Sequence, residues 1–403
     1  MSATNNVPGV YREEIVLRPD PKLTTGIVGF VGFADLAGEE TTGPPVVALH
    51  RRDEFVAKVK SAADGYLADA VAGFFQNGGL RCYVACARLN PADSDAQKAE
   101  AQKAEALIEA LKFLAPVTDI DLVAMPDAMT LYRPDPPDQG SALDQLQIAL
   151  LQHCEINAGR MAILDALPVE TEDVIKQRRR ITAGIGEPVN GALYYPWIKT
   201  YEGRLVPPCG HVAGIYARSD GRAGVFKAPA NEEILGALDL GLLVTKPGGR
   251  VITGDTLAPD QQALNPEGVN CLRAFPGRGI RVWGARTLSR APDWRYINVR
   301  RLFLTLQRWV DLNMNWVSFE PNTPVLWIRI TREIAAYLMG LWDEGALAGQ
   351  AAEQAFFVKC DGETNSQEAR EAGQVITEIG LAPARPAEFI TVRVIHHTGV
   401  EPQ

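Results

Sequence analysis

An α/β body with an α+β final third is the fold class that this 403-residue sequence predicts. Three observations carry it. Short apolar runs alternate with helix-period segments from residue 26 to about 270. Two long amphipathic periods fill the stretch from about 297 to 344. Both chain ends read as extended segments set off by prolines. Alternation of the first kind builds a largely parallel sheet with helices on its faces.

The first 25 residues contain Pro8, Pro19 and Pro21, which exclude a continuous helix. Val10–Leu17 between them is expected to be extended, and no turn signal joins it to a partner strand, so it reads as an arm. Gly26–Ala34 (GIVGFVGFA) is expected to be a buried strand. Further strands are expected at Cys82–Ala87, Ile120–Ala124, Met161–Leu164 and Ala192–Tyr195. Helices are expected between them at Arg52–Lys60, Leu67–Gln76, Asp95–Leu114, Ala142–Asn157 and Glu170–Arg180. The tandem AQKAE-AQKAE near the start of the third of these favours a solvated helix. Residues 131–140 form a proline-rich loop, and Ser219 and Asp220 are expected in a glycine-rich loop.

In the final third, a helix is expected from Ile297 to Met314, with Val299, Leu302, Phe303, Leu306, Trp309 and Val310 on its apolar face. A second helix starts with Thr323 as cap and Pro324 at its first position. Its stripe is Trp327, Ile330, Ile334, Tyr337, Leu338 and Leu341, and Gly345 stops it. Strands are expected at Phe356–Lys359, Val375–Leu381 and Phe389–Ile395.

The formal charge of −9 is unevenly spread. Between Cys271 and Met314, nine arginines (273, 278, 281, 286, 290, 295, 300, 301 and 308) face only Asp293 and Asp311, a net of +7. Such a patch suits nucleic acid or an acidic protein surface, and the latter is preferred because the block lacks the lysine-rich or glycine-rich tail of a nucleic-acid arm. The six cysteines, with no C-x2-C pair, are expected to be reduced thiols, as in a chain that folds in a cytoplasm. No signal-like segment and no 18-residue apolar run is present, so no direct membrane insertion is expected.

No catalytic, metal or cofactor residues are assigned. Gly26, Gly29 and Gly32 are spaced GxxGxxG inside an apolar strand, which suits close packing rather than a phosphate loop at a helix start. His396 and His397 are neighbours on an expected strand and point to opposite faces. There is no HExxH and no GxSxG elbow. An α/β enzyme or nucleotide-binding protein therefore has fold support without chemistry. Asp343 and Glu344 sit at the end of the second helix, where the dipole disfavours anions. Solvation accounts for them, as does a cationic partner surface. Arg329, Arg332, Glu333, Ala336 and Gly340 form a thin polar face of the same helix.

Several segments, in order, resemble the contractile tail sheath family of phage tails and extracellular contractile injection systems. VPGVYREEI resembles its N-terminal arm, and FFQNGGLRCYVACA (74–87) its first α/β unit. GALYYPWIKT and VPPCGHVAGIYARSDGRAGVFKAPAN (206–231) resemble its middle. LNPEGVNCLRAFPGRGIRVWGARTLS and the two-helix block resemble its C-terminal domain, and EFITVRVI its last strand. The resemblance implies an arm at 1–25, an α/β middle or outer domain at 26–270, an inner C-terminal domain at 271–386 and a second arm at 387–403. It implies a structural protein that stacks as six-subunit rings around an inner tube and contracts to drive the tube through a target envelope. The rival within structural proteins is a non-contractile tube or capsid subunit.

In that family the arms add strands to neighbouring sheets. Carried over, the arm residues are Val10, Tyr11, Arg12, Glu13 and Ile15 at one end, and Phe389, Ile390, Val392 and Val394 at the other. The tube-facing helix carries Arg329, Arg332, Glu333, Ala336, Gly340, Asp343 and Glu344. Partners implied are further copies of the chain, an inner tube protein, baseplate and terminal cap proteins, and sister sheath proteins. Assembly is expected in the cytoplasm, with release only as part of a particle. Contraction implies near-rigid bodies that re-pack while arms hinge, with Pro8, Pro19, Pro21, Pro383 and Pro386 flanking the arm strands.

Overall fold

The computed structural model describes residues 23–37, 45–88, 96–132, 142–244, 250–253, 260–386 and 388. Its centre is a mixed sheet. Strands β1 (Val28–Leu36), β2 (Val46–Leu49), β3 (Val59–Ser61), β4 (Cys82–Ala87), β5 (Leu122–Ala124), β6 (Met161–Asp165) and β7 (Gly191–Tyr195) enter it in chain order. After an excursion, β12 (Val269–Phe275) and β13 (Gly279–Trp283) return to it. The spatial order is β13-β12-β7-β6-β5-β1-β4-β2, with β3 paired to the end of β1. The six strands from β12 to β4 run parallel, and β13 and β2 close the two edges antiparallel. The excursion is a smaller sheet of β8 (Trp197–Thr200), β9 (Leu205–Val206), β10 (Ala237–Val244) and β11 (Arg250–Thr253) in the order β11-β10-β8-β9.

The helices α1 (Arg52–Lys58), α2 (Leu67–Gln76), α3 (Ala96–Lys112), α4 (Ala142–Ile156), α5 (Thr171–Thr182), α6 (Cys209–Ala223) and α7 (Gln261–Leu264) accompany the sheets. The central strands bury residues on both faces, which is why they read as unbroken apolar runs. One core gathers α3, α4 and α5 side chains such as Leu107, Leu150 and Val174. The other gathers α2 and α6 side chains such as Phe74 and Tyr216. The tandem AQKAE helix is therefore solvated on one side only, with Ala104, Leu107, Ala110 and Leu111 buried.

Helix α6 corrects an expectation. Residues placed in a glycine-rich loop, Ser219 and Asp220 among them, lie in this helix and are buried. Its glycines serve contact. A Cβ on Gly210 would fall 2.3 Å from the Ala70 backbone, and one on Gly214 2.4 Å from the Phe74 carbonyl oxygen. The backbones of α2 and α6 touch where those side chains are absent.

Strand order reverses between β1 and β5, because the chain goes first from β1 to β4 and then back across to β5 and β6. Open α/β sheets bind ligands at the carboxyl ends of such a pair. Here that crevice is filled by Asp127, which follows β5. Its Oδ2 accepts from the Phe33 amide at 2.7 Å, and its Oδ1 from the Tyr66 and Leu67 amides at 2.5 and 2.8 Å. Gly32 and Gly65 leave room for the carboxylate, since a Cβ on either would sit within 3.0 Å of it. The strand glycines thus serve packing, as expected, with Gly29 backed by Leu114.

The final third is built on α8 (Ile297–Asn313) and α9 (Pro324–Asp343), followed by α10 (Ala352–Ala355), β14 (Phe356–Lys359), α11 (Gln367–Glu371) and β15 (Glu378–Leu381). Helix α8 buries more than one face, because Ile297, Asn298, Arg301, Leu304, Thr305 and Arg308 are covered as well as Val299, Leu302 and Leu306. Helix α9 packs Leu326, Trp327, Ile330, Ile334 and Leu338 into a separate cluster with Leu306 and Cys360. Trp309 and Tyr337 stack at 4.2 Å between the two helices. Thr323 stands at the α9 N-terminus without a side-chain cap hydrogen bond, so Pro324 alone of the two expected start signals contributes. Gly345 ends the helix at φ +82. The expected division at 270/271 falls within β12, a strand of the main sheet.

Candidate assembly surfaces

The exposed side of α9 is a stripe along the whole helix. Arg329, Arg332, Ala336, Gly340 and Asp343 lie on it, and Glu344 follows at the C-cap. Glu333 is half-buried and turned toward Trp316. It accepts from the Trp316 indole at 2.9 Å and pairs with Arg329 at 3.8 Å, while the Arg329 guanidinium stacks on the Trp316 ring at 3.8 Å. Two of the expected contact residues are thus held by the protein itself. A Cβ on Gly340 would meet nothing within 4 Å, so this part of the stripe is flat and open. Sequence reasoning missed its apolar share. Val325 is 76 % and Ile328 69 % exposed, and Met339 lies further along. Phe319, in the turn before α9, is fully exposed at φ 69, a conformation that bulky residues seldom hold. The signal was available, since α9 carries more large apolar residues than one face can bury.

The expected arm residues Val10, Tyr11, Arg12, Glu13 and Ile15, and Phe389, Ile390, Val392 and Val394, lie outside the described residues. The described chain next to each is tightly held. Asp121 accepts from the Gly26 and Ile27 amides at 3.0 and 2.7 Å. Asp121 in turn meets Arg301 at 2.9 Å, and Arg301 lays two further bonds on Asp220 at 2.6 and 2.7 Å. All three side chains are nearly inaccessible. At the other end, Arg286 grips Glu388 with a two-bond fork of 3.0 and 2.5 Å. This bond raises the already basic guanidinium further. Neither clamp was foreseen, because each joins residues 81 or more positions apart.

Strands β14 and β15 form an antiparallel pair from Phe356↔Leu381 to Lys359↔Glu378. Neither has a second ladder partner among the described residues. Phe357 on β14 is 57 % exposed. A lone two-stranded sheet is marginal in water, and its outer edges offer unpaired backbone groups.

The arginine block divides into different roles. Arg286, Arg301 and Arg308 are buried and spent on internal contacts, with Arg308 donating to the Asp119 carbonyl at 2.9 Å. Arg300 donates to Asn190 at 2.6 Å and lies over Trp294; burial without an acid holds it down to about 10. Arg273, Arg278 and Arg281 belong to the β12–β13 hairpin and donate to neutral acceptors among the described residues. The six cysteines are free and buried. Burial pushes the Cys82, Cys86, Cys154 and Cys271 thiols up, Cys86 to about 11. Those thiols are shielded packing groups. No described helix is long and apolar enough to cross a membrane.

A body whose sheet crevice is filled by its own aspartate, with a flat open helix face and a two-stranded sheet that has no further ladder partner among the described residues, has the features of an assembly subunit. Family models agree: the phage tail sheath protein central domain matches residues 97–288, and the phage tail sheath C-terminal domain residues 289–396. The chain belongs to the phage tail sheath protein family. Over their whole length, two solved structures are similar to it. The helical sheath of the anti-feeding prophage in its contracted state is 31 % identical, with TM-score 0.71 over 97 % of this chain and 99 % of that one. The PVC sheath complex of an extracellular contractile injection system, also contracted, is 27 % identical, with TM-score 0.69 over 98 % and 99 %. Among curated relatives, the tail sheath protein of Vibrio phage KVP40 is 27 % identical over 48 % of this chain and 26 % of its own length. The tail sheath protein of Enterobacteria phage T4 is 26 % identical over 48 % and 27 %. The match thus spans about a quarter of these phage proteins.

Proposed function

We propose that this chain is the structural subunit of a contractile sheath. It polymerises as stacked six-subunit rings around an inner tube and drives that tube through a target envelope by contracting. The observation that carries this is the end-to-end likeness to two contracted injection-system sheaths. The arms at 1–25 and 387–403 add strands to the β14–β15 pair of neighbouring copies, a reading supported by the lack of a second ladder partner for either strand among the described residues. A contact that does not close on itself yields a helical polymer. The α9 stripe, with Arg332, Ala336, Gly340 and Asp343, faces the inner tube. Baseplate and cap proteins end the polymer, and sister sheath proteins share it. Assembly takes place in the cytoplasm.

In this reading, the clamps at Gly26–Ile27 and Glu388 make the bodies move as units, and bending is confined to the arms beyond them. The stroke is a re-packing of near-rigid subunits from a less stable to a more stable arrangement. Negative-stain imaging of the purified protein tests the reading. Wide hollow cylinders support it. Narrow tubes, or persistent monomers under all conditions, rule it out.

A further inference from the structure

The arginines of the β12–β13 hairpin, Arg278 exposed and Arg273 and Arg281 half-buried, form a built surface. Phe275 packs on Trp283 with ring centroids 4.6 Å apart. The Arg273 and Arg278 guanidiniums lie over the Phe275 ring at 5.4 and 5.8 Å. Arg281 donates to the Asn231 carbonyl at 2.6 Å, and Arg278 to the Asn231 side chain at 3.2 Å. Glu233 borders the hairpin, bridging to Arg281 through its backbone with its carboxylate beside Gly279, and this single acid leaves the group net positive. Stacking on an aromatic ring fixes a guanidinium while leaving its outward N–H groups for a partner.

The same chain carries a complementary surface. Between residues 343 and 378, eight carboxylates stand against Lys359 and Arg370, a net of −6. Glu363, Glu368, Glu371 and Glu378 are exposed around β14–β15 and α11. No ion pair joins this region to the hairpin within the described residues of one copy. Lys359 pairs with Glu363 inside the region itself. Opposite fields on separate surfaces of one molecule are the pattern of a heterologous contact that propagates.

From these observations we infer that the β12–β13 hairpin is a docking surface for a second copy of this chain, and that it engages the neighbour's Glu368, Glu371 and Glu378. The contact is side chain to side chain and independent of strand exchange by the arms. It rests on the proposal that the chain polymerises. It sets the relative orientation of two bodies that the arms alone would hold loosely, and it makes assembly salt-dependent.

The test is a charge swap read by sedimentation velocity and negative-stain imaging, with thermal unfolding as the folding control. Arg278→Glu with Arg281→Glu, and separately Glu368→Arg with Glu371→Arg, should each raise the protein concentration needed for polymer at least tenfold. The four substitutions combined in one chain should restore it. Arg278→Gln supplies a milder variant if the reversed hairpin melts early. Single swaps that polymerise like the unchanged chain, or a combined variant that is no better than either, overturn the inference. So does loss of binding to duplex DNA in the hairpin variants with unchanged self-association, which assigns the surface to nucleic acid. If the unchanged protein never polymerises, the sheath proposal itself fails, a result distinct from these.

Discussion

Arg301 on α8 and Asp220 on α6 form a two-bond ion pair in which both side chains are at most 3 % exposed. Helix α8 opens the final third and α6 belongs to the α/β body, so the pair bolts one to the other. Asp121 extends it to the start of β1 through the Gly26 and Ile27 amides. The neighbouring carboxylates hold the guanidinium charged despite its burial. Truncating one partner of a buried pair leaves the other charge without compensation, at a typical cost of about 3–5 kcal/mol. Arg301→Ala is therefore expected to lose about that much in urea unfolding. It should also expose the chain around residue 26 to limited proteolysis. A variant within 1 kcal/mol of the parent, on the scale of a surface pair, would remove the pair from any role in joining the two parts.

The buried acids and histidines oppose each other in pH dependence. Desolvation raises Asp127 to about 6 and Asp165 to about 7, against hydrogen bonds from backbone amides that lower them. Desolvation lowers His153 and His211 to about 4. Between pH 4 and 6.5 the folded state binds more protons than the unfolded chain at the two aspartates, so their contribution weakens stability as pH rises. At the histidines the unfolded chain binds more, so stability weakens as pH falls. Each displacement is worth roughly 3–4 kcal/mol, and the two trends nearly cancel. The joint contribution of these four groups should thus be nearly flat across this window. His153 Nε2 faces an Arg160 N–H at 2.8 Å and so acts as an acceptor. His153→Gln keeps an acceptor without titrating. Relative to the parent it should gain about 2–3 kcal/mol on going from pH 7 to pH 4.5. Urea midpoints at three pH values decide the matter, and a pH-independent difference counts against it.

Helix α6 yields a packing prediction. Gly210→Ala and Gly214→Ala each add a methyl that collides with the α2 backbone rather than with a movable side chain. Alanine favours a helix over glycine by about 1 kcal/mol, but backbone displacement in a packed core commonly costs 1–3 kcal/mol. Net destabilisation of up to about 2 kcal/mol is expected from thermal unfolding. Gly221→Ala on the same helix meets nothing within 4 Å and serves as the control. It should be neutral or slightly stabilising. Equal effects at all three sites would show that the α2–α6 contact is looser than drawn.

These cases also show what was legible in the sequence. Strands β4, β6 and β7 and the helices α2, α4, α8 and α9 announce themselves by apolar period, because burial on one or both faces is written residue by residue. Helix α6 does not. Its glycines look like loop signals, and only the presence of α2 against them explains why a helix tolerates them. The α9 face was legible as an exposed helix side, and the surplus of large apolar residues in α9 signalled that some must lie on it, but periodicity did not single out Val325 and Ile328 because it cannot say how wide a buried stripe is. The clamps Arg301–Asp220 and Arg286–Glu388 span 81 and 102 positions. Such partners are brought together by topology, and no local pattern encodes them.

Arg332 tests the proposed tube contact more cleanly than Arg329. Arg329 is held against Trp316 and Glu333, so reversing its charge disturbs the turn before α9 as well as the surface. Arg332 is exposed with no ion pair among the described residues, and Gly340 lies two turns along the same stripe with open space beyond it. Arg332→Glu changes the charge of the stripe, and Gly340→Gln changes its shape. Surface substitutions of this kind usually alter stability by no more than about 0.5 kcal/mol. Both variants should therefore fold and polymerise on their own like the parent. In co-sedimentation with the assembled inner tube, each should retain less than a third of the parent's bound fraction, and Ile328→Ala on the apolar part of the stripe should weaken binding as well. Undiminished co-assembly of all three variants would place the tube contact on another face of the subunit.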